Sequence, residues 1–439
     1  MKLLTIRMLL ATAGASLAAL GTAQTYTVLD LNPPGSTDSG AMGISNGVIV
    51  GYSNPGGFGV EATRWDLSGN MSLVALGARA LGVNATTIVG TDETLNRATV
   101  WPVGGGAGTT LGSAGLSAGY AISGNIAVGA ADVGSGNTGA AYWDLSDPLT
   151  AIPLAGDFSV ANAIDGSRIV GVKELSRATI WDISPAPAVD LQRDDLWGFS
   201  TATGISGTTQ VGWAQTLAGP IHAVAWSGSA ASAVDLHIAG EANTFAQAIS
   251  GDTIVGFIDN GDSTQEAVAW IGPTRTVVNL HALLGADYVS SNAYGVDAQG
   301  NIVGLARTTG GENHAVVWKK AQYTFGNFHH PLIDPDDQQI ASFKKRSVIP
   351  VIIQIFDAQG AVAPNLDLQI SVTQGSGAGL EEIPVDDFDT AFDVGDRFFY
   401  VFGYYVYFMS TRDLDRGIYT VHAKIVTTGQ THSVDFRIR

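Results

Sequence analysis

The sequence predicts an all-β protein, a seven-bladed β-propeller followed by an immunoglobulin-like β-sandwich. Three observations predict it. A Val-Gly pair recurs seven times with spacings of 39, 39, 42, 41, 44 and 48 residues, each copy carries a tryptophan with an alanine three residues before it, and the period stops near residue 320. A period near 40 with few helix signals is typical of propeller blades. The predicted domains are therefore residues 24–320 and 321–439.

Each copy of the repeat predicts four short strands. The first has the form Ala-x-Gly/Ala-Ile-Ser, as at residues 41–45, and a tight turn such as Ser250-Gly251 follows it. The second contains Ile-Val-Gly, the third carries Ala-x-x-Trp, and the fourth often ends in Val-Asp-Leu, as at residues 189–191. The repeat glycines are Gly51, Gly90, Gly129, Gly171, Gly212, Gly256 and Gly304; the tryptophans are Trp65, Trp101, Trp143, Trp181, Trp226, Trp270 and Trp318; the alanines are Ala62, Ala98, Ala140, Ala178, Ala223, Ala267 and Ala315.

Blades stack face to face, so both faces of each sheet are expected to be buried. Side chains three positions apart on a strand point to opposite faces. The repeat tryptophan and its alanine should therefore face different neighbouring blades, one supplying a large ring and the other a small space.

The ends of the array are uneven. No Val-Asp-Leu strand follows Trp318, whereas residues 26–31 have the sequence Tyr-Thr-Val-Leu-Asp-Leu with no blade before them. We expect this segment to complete the seventh blade. A closed ring is favoured over an open solenoid because closure removes exposed sheet edges.

Two resemblances to known families follow from these motifs. The third strand appears as His222-Ala-Val-Ala-Trp226 and His314-Ala-Val-Val-Trp318, and with Ala-x-Gly-Ile-Ser and Ile-Val-Gly it resembles the HAF-type extracellular repeat of bacteria. That resemblance covers residues 24–320 and implies a secreted β-propeller. Residues 323–328, the strand at 347–353 and the endings at 417–419 and 431–436 together resemble the bacterial PxKF domain, with Ile352 and Ile353 at the Lys and Phe positions of its signature.

The N-terminus predicts export. Lys2 and Arg7 precede an apolar run at residues 8–20, and small residues end at Ala23, where a signal peptidase would cut. The alternative is a membrane anchor, but a spanning helix needs about 20 apolar residues and this run is shorter. We therefore expect residues 1–23 to be a signal peptide of a bacterial protein that is secreted or held at the cell surface, with no membrane span after cleavage.

Composition limits the function classes. The formal net charge of −18 disfavours binding to nucleic acid or anionic lipid. The absence of cysteine excludes disulfides, zinc-thiolate sites and cysteine nucleophiles. Hydrophobic residues make up 45% and charged residues only 14%, with 55 glycines, which is typical of a β-rich extracellular chain.

No catalytic constellation, metal set or cofactor motif stands out. The Val-Asp-Leu aspartates Asp30, Asp190 and Asp235 and the repeated His222 and His314 recur by blade, which favours structural roles. His329-His330 could bind a metal, but adjacent residues of one strand point apart. The acidic run at residues 381–396 lacks the spacing of a calcium loop and is expected to be a solvated loop.

Trp197 and Trp213 lie outside the repeat, and they are the residues predicted to bind a ligand, by stacking on sugar rings. Local packing is the alternative for both. The sequence thus favours a secreted, monomeric, non-enzymatic binding or scaffold protein without a cofactor, whose partner is an extracellular glycan or protein. The alternative is a propeller carbohydrate-active hydrolase or lyase, which needs convergent acids or a His/Tyr set that breaks the repeat.

Overall fold

The computed structural model describes residues 26–439 except 57–58, 113–114, 133, 135, 185, 334–339, 358–359, 376–381, 384–395 and 427–429. The predicted signal peptide, residues 1–23, lies outside the described residues. Apart from two 3-10 turns at Ala230–Ser232 and His281–Leu283, the regular structure of the described part is β-strand, which confirms the all-β prediction. None of its helical segments has the length and hydropathy needed to cross a bilayer. One compact unit is Tyr26–Lys320, and Ala321–Arg439 belongs to a second.

The first unit contains five antiparallel four-stranded sheets and one eight-stranded sheet, which consists of two antiparallel groups of four strands joined by a single parallel pair. We number the seven groups of four strands in this unit as sheets 1 to 7. Its first strand is β1 (Tyr26–Asp30). Sheets 1 to 3 contain β2 (Asp38–Ser45), β3 (Val48–Asn54), β4 (Glu61–Trp65) and β5 (Met71–Leu76); β6 (Ala78–Val83), β7 (Thr87–Asp92), β8 (Arg97–Pro102) and β9 (Thr109–Thr110); β10 (Ser117–Ser123), β11 (Ile126–Asp132), β12 (Thr138–Asp144) and β13 (Ile152–Asp157).

Sheets 4 to 7 repeat this order of strands. They contain β14 (Val160–Asp165), β15 (Arg168–Lys173), β16 (Arg177–Asp182) and β17 (Val189–Asp190); β18 (Trp197–Ser206), β19 (Thr209–Thr216), β20 (Ile221–Trp226) and β21 (Val234–Asp235); β22 (Asn243–Ser250), β23 (Thr253–Asp259), β24 (Gln265–Ile271) and β25 (Thr276–Asn279); β26 (Tyr288–Val296), β27 (Ile302–Thr308) and β28 (Asn313–Lys320) with β1.

Sheet 7 takes its fourth strand from the other end of the unit. β1 pairs antiparallel with β28, from Tyr26 opposite Lys320 to Asp30 opposite Val316. This pairing confirms the expected role of residues 26–31. A single parallel pair, Asp38 with Asn313, also joins sheet 1 to sheet 7.

The first strands of the seven sheets contact one another in sequence, and the last returns to the first. β2 contacts β6, then the contacts run through β10, β14, β18, β22 and β26, and β26 contacts β2. The approach is close: a Cβ placed on Gly82 would lie 2.7 Å from the Tyr120 carbonyl oxygen, and one on Gly295 would lie 3.4 Å from the Gly43 Cα. Four-stranded sheets arranged this way form a β-propeller.

The tryptophan and the alanine of each repeat pack against different sheets, as expected. Trp270 shares a buried cluster with Ala223 of the preceding sheet, whereas Ala267 shares one with Trp318 of the following sheet. The same interface joins the ends of the array, where Trp65 of sheet 1 packs with Ala315 of sheet 7. All seven repeat tryptophans are buried.

The Val-Gly glycine is required by a bulge in the first strand. In sheet 1, Ala41 pairs with Gly51 and Gly43 pairs with Val50, so Met42 is the extra residue. A Cβ on Gly51 would overlap the Gly40 carbonyl oxygen, and the other six repeat glycines have the same conflict. Glycine is therefore the residue that lets the first two strands meet here. The bulged residues are Met42, Leu81, Tyr120, Asn162, Thr203, Gln247 and Tyr294.

A buried hydrogen bond ties successive sheets together. The N–H of the repeat alanine donates to a serine or threonine hydroxyl on the next first strand, at 2.9–3.1 Å. The pairs are Ala98 with Ser117, Ala178 with Ser200, Ala223 with Thr244, Ala267 with Ser291, and Ala315 with Ser39. The last pair joins sheet 7 to sheet 1.

The residue after the leucine that follows the fourth strand, in Val-Asp-Leu or its variants, adds a second bond to this hydroxyl. In four sheet interfaces its side chain bonds the same serine or threonine: Asn32 with Ser39, Gln192 with Ser200, His237 with Thr244, and His281 with Ser291. The hydroxyl is thus both an acceptor from the alanine N–H and a partner of a polar side chain, which satisfies its hydrogen-bonding capacity within the core.

The second unit contains a five-stranded and a three-stranded sheet around one core. Its strands are β29 (Thr324–Phe325), β30 (Ala341–Phe343), β31 (Val348–Ile353), β32 (Ile355–Phe356), β33 (Leu368–Gln374), β34 (Glu382–Ile383), β35 (Phe399–Val401), β36 (Tyr404–Ser410), β37 (Gly417–Ile425) and β38 (Thr431–Ile438). The sheet orders are β30-β38-β37-β33-β34 and β31-β36-β35, and β29 pairs with β32. Val351, Tyr407, Ile370 and Val421 meet in the shared core. β37 and β38 form the expected terminal hairpin.

Replacing Ser39 with alanine should destabilise the first unit as much as replacing Ser291. Each change leaves the buried N–H of a repeat alanine without its acceptor, which costs about 1–3 kcal/mol. The measurement is chemical denaturation of the two variants beside the unchanged protein. If Ser39→Ala has no effect while Ser291→Ala destabilises, the interface between sheets 7 and 1 does not form in solution.

Candidate functional site

Polar pairs join the third and fourth strands within a sheet. His222 Nδ1 lies 2.8 Å from Asp235 Oδ2, and His314 Nδ1 lies 2.7 Å from Asp30 Oδ2. In sheet 4 the Arg177 guanidinium takes the histidine's place and bonds Asp190 at 2.6 Å. The other oxygen of each aspartate accepts a backbone N–H two residues ahead. The Val-Asp-Leu aspartates thus close a turn and hold the outer strand.

The outer strand of sheet 7, β1, is held by a further contact. The Tyr288 hydroxyl donates to Asp30 Oδ2 at 2.8 Å, beside the His314 bond. Burial, followed by the Asp30 carboxylate, raises the pKa of Tyr288, so the phenol keeps the proton that it donates. These three side chains anchor β1 to the sheet that it completes.

Two imidazoles stack where sheets 5 and 6 meet. The His222 and His237 rings lie 3.9 Å apart at an interplanar angle of 7°, and His237 Nδ1 is 3.1 Å from Thr244 Oγ1. Burial, and next the charge of His222, lowers the pKa of His237 below its usual 6.5, against the opposite effects of Asp235 and Glu241. His237 is therefore favoured in its neutral form in the folded chain.

Two of the bulged side chains in the first strands bond the backbone of the next sheet. Asn162 Nδ2 donates to the Ala202 carbonyl and Thr203 Oγ1 donates to the Ala246 carbonyl, both at 2.8 Å. Burial, with a smaller effect of Tyr52, raises the pKa of Tyr294 to about 12, and burial also raises that of Tyr120. Both phenols are protonated at neutral pH. These positions strengthen the contact between sheets.

Trp197 is placed in the core between sheets 4 and 5. Its side chain is 7% exposed, and its ring meets that of Trp226 edge to face with centroids 5.9 Å apart. This geometry gives Trp197 a packing role and leaves little of its ring open to a ligand.

Trp213 has a different environment. It is partly exposed and lies between two phenylalanines, with ring centroids 5.5 Å from Phe199 and 5.6 Å from Phe245. Phe245 stacks in turn on Phe257 at 4.7 Å. We call these four residues the aromatic cluster. It crosses from sheet 5 to sheet 6, and three of its members retain exposed surface.

Sequence reasoning found Trp213 but missed its three partners. Trp213 and Phe257 follow the Val-Gly glycine of their repeats, and Phe245 pairs directly with Phe257. At the position after the glycine the other sheets carry Tyr52, Thr91, Ala130, Val172 and Leu305. Large aromatic residues at this position in two consecutive sheets therefore indicate the aromatic cluster, and they are visible once the repeat copies are aligned on the glycine.

A second aromatic contact occurs at this position in sheet 1. The Arg79 guanidinium lies 4.2 Å from the centroid of the Tyr52 ring, and Arg79 Nε forms an ion pair of 2.6 Å with Glu93. Such a cation–π contact fixes the tyrosine between sheets 1 and 2.

The described residues contain no group of three histidine, aspartate or glutamate side chains arranged to hold a metal ion. His329 makes an edge contact with Tyr404, with ring centroids 5.1 Å apart. In the acidic run, residue 381 and residues 384–395 lie outside the described part of the chain.

Replacing His237 with glutamine should reduce the acid sensitivity of the first unit. Because the folded pKa lies below 6.5, the unfolded chain binds a proton first, so this residue's contribution to stability is lost as the pH falls below 6.5. Thermal unfolding of the unchanged protein and the variant from about pH 7 to about pH 5.5 measures the difference in slope. His281→Gln, at the same repeat position but bonded to Ser291, is the control. If the melting temperature falls equally steeply with pH in the unchanged protein and in His237→Gln, the lowered pKa of His237 does not contribute to the acid sensitivity.

No family model and no curated protein sequence matches the chain. Solved structures do. The β-propeller domain of the Trilobed protease from Pyrococcus furiosus, described as having an open velcro topology, matches at 10% identity and a TM-score of 0.46, covering 67% of this chain and 96% of that one. A puromycin hydrolase matches at 10% identity and a TM-score of 0.47, covering 72% of this chain and 58% of that one. TolB from Acinetobacter baumannii matches at 11% identity and a TM-score of 0.34, covering 59% and 76%. The chain thus spans less than two thirds of the puromycin hydrolase.

Proposed function

We propose that this protein is a secreted, non-enzymatic binding or scaffold protein whose propeller engages an extracellular glycan, with a protein as the alternative partner. The aromatic cluster around Trp213 is the observation that carries the proposal. Its rings depart from the repeat, and three of the four keep exposed surface in a unit whose repeat tryptophans are all buried.

The geometry of the cluster suits stacking. Edge-to-face contacts with Phe199 and Phe245 restrict the Trp213 ring, so little side-chain entropy is lost when a ligand covers it. A sugar ring offers aliphatic C–H groups to an aromatic face and hydroxyls to surrounding polar groups. A neutral glycan also avoids repulsion from a chain with a net charge of −18.

The finer architecture is part of the same proposal. The seven sheets form one closed, seven-bladed propeller of HAF-type repeats, supported by the β1–β28 pairing and the bond from Ala315 to Ser39. The second unit is an immunoglobulin-like sandwich related to the PxKF domain, supported by its two sheets around a single core. The apolar N-terminal segment supports a secreted or surface location in a bacterium.

The proposal that the protein is not an enzyme is supported by the structural roles of its titratable side chains. The His–Asp pairs of sheets 5 and 7 recur at one repeat position and hold outer strands, and the Tyr120 and Tyr294 phenols are protonated at neutral pH. The alternative, a carbohydrate-active hydrolase or lyase, is tested by incubating the mature chain with polysaccharides and assaying for new chain ends. Release of such ends would replace the binding proposal with the enzymatic one.

Replacing Trp213 with alanine should weaken glycan binding about thirtyfold, the loss expected for a buried aromatic anchor worth about 2 kcal/mol. The measurement is a glycan array with the mature protein, followed by titration of the best ligand. Leu305→Ala alters the same repeat position in sheet 7 and should leave binding unchanged. Binding to no glycan would move the proposal to a protein partner, and equal effects of the two variants would remove Trp213 from the site.

Deleting residues 26–31 should lower the thermal stability of the first unit substantially. The deletion exposes the edge of β28 and removes the buried Tyr26 and Leu31, worth about 1.5–3 kcal/mol each. Differential scanning calorimetry of the full mature chain with and without this segment gives the comparison. An unchanged melting curve would rule out the closed ring.

A further inference from the structure

A cavity of about 260 Å³ lies between sheets 2 and 3. Its walls include Leu111 and Gly112 after β9, Ser117 and Asp132 on sheet 3, and the Trp143 indole. Residues 149–151, in the connection before β13, also line it, and this connection is tied to sheet 2 by the bond from the Gly112 N–H to the Pro148 carbonyl at 2.7 Å. Leu149 is 61% exposed, so the cavity is open to solvent beside it.

The cavity exists because one side chain of the repeat is missing. Gly112 follows Leu111 at the position where other sheet interfaces have Asn32, Gln192, His237 or His281. Those side chains bond the hydroxyl that accepts the alanine N–H, as Asn32 bonds Ser39 at 2.6 Å. Glycine provides no such group, so among the described hydrogen bonds the Ser117 hydroxyl has the Ala98 N–H alone. A hydroxyl hydrogen is left to donate into the space.

The same space contains an unpartnered indole. Trp143 is fully buried, and its Nε1–H has no hydrogen-bond partner. In sheets 6 and 7 the equivalent indoles donate to a leucine carbonyl of the preceding sheet, at 3.1 Å for Trp270 and 2.9 Å for Trp318. Here the equivalent Leu111 carbonyl accepts from Arg97 instead. An unpartnered buried donor is costly, and a ligand acceptor would relieve that cost.

We propose that this cavity binds one neutral sugar residue, free or at the end of a glycan. Ser117 and Trp143 supply donors, Asp132 supplies an acceptor, and Leu111, Ala131 and Leu149 supply apolar walls. A sugar hydroxyl can accept from the first two groups and donate to the third. The Asp132 charge disfavours an anionic ligand, and the volume is below the range of about 300–1,000 Å³ typical of drug-sized ligands, which fits a single ring.

The test is saturation-transfer NMR of the mature chain with the methyl glycosides of glucose, galactose, mannose and N-acetylglucosamine. At least one should receive saturation, and Trp143→Phe should weaken its binding about tenfold because one hydrogen bond to a buried donor is lost. Trp226→Phe is the matched control, since Trp226 occupies the same repeat position and its buried indole is also unpartnered. Equal binding by these two variants would overturn the proposal, as would transfer to none of the four glycosides.

Gly112→Asn is an independent variant that fills the cavity. Gly112 has φ +76°, a conformation that asparagine tolerates, and a Cβ there would sit 3.4 Å from Trp143 Nε1 without overlap. The added amide should bond Ser117 as Asn32 bonds Ser39, which offsets part of the strain of a side chain at positive φ, so sugar binding should be abolished while the variant still folds. Sugar binding that survives Gly112→Asn would place the ligand elsewhere, and a co-crystal with only water on Trp143 and Ser117 would reject the site.

These outcomes are separable from those for the proposed glycan function. Array binding that is lost in Trp213→Ala but retained in Trp143→Phe and Gly112→Asn would support the aromatic cluster and reject the cavity. The reverse pattern would support the cavity alone. Binding of free methyl glycosides without array binding would identify a receptor for free sugars, and binding of both would identify a site for glycan ends.

Discussion

The close approach between the repeat glycine and the bulged first strand is the constraint on which the propeller depends. At all seven glycines a Cβ would overlap a carbonyl oxygen of the first strand. The bulge adds one residue to that strand, and it directs side chains such as Asn162 and Thr203 to the backbone of the next sheet. Without glycine the two strands could not pair in this register, and the contacts between neighbouring first strands would be lost.

The interfaces between sheets follow from the contacts between neighbouring first strands. Once the first strands are in contact, the alanine N–H of one sheet reaches the hydroxyl of the next, and a tryptophan fills the space beside an alanine. Each sheet therefore has a buried partner on both faces, and no sheet is stable by its own core alone. The interface between Trp65 and Ala315 uses the same residues as the others, and β1 covers the edge that would otherwise be exposed.

Much of this architecture could be predicted from the sequence because its causes repeat. The alanine, the tryptophan, the glycine and the fourth strand at residues 26–31 are visible in seven aligned copies. The bulge could not be predicted, since its extra residue takes six different types in the seven copies. The hydroxyl that accepts the alanine N–H was visible in the sequence but overlooked: Ser39, Ser117, Ser200, Thr244 and Ser291 each stand two residues before the first-strand residue that pairs with the repeat glycine or its equivalent. Trp197 and Trp213 look alike in sequence, and only three-dimensional packing separates the buried ring from the partly exposed one.

The positions at which the repeat copies differ are the ones that can take on a ligand. After the Val-Gly glycine, residues from alanine to tryptophan are accepted, and after the leucine that follows the fourth strand the chain has asparagine, glutamine, histidine or glycine. The aromatic cluster lies at the first of these positions, and the cavity beside Gly112 arises from the second. A substitution at a repeat residue acts on the stability of every neighbouring sheet. A substitution at these two positions leaves the repeat glycine, alanine and tryptophan in place, so a new binding site can arise there while the main packing contacts between sheets are kept.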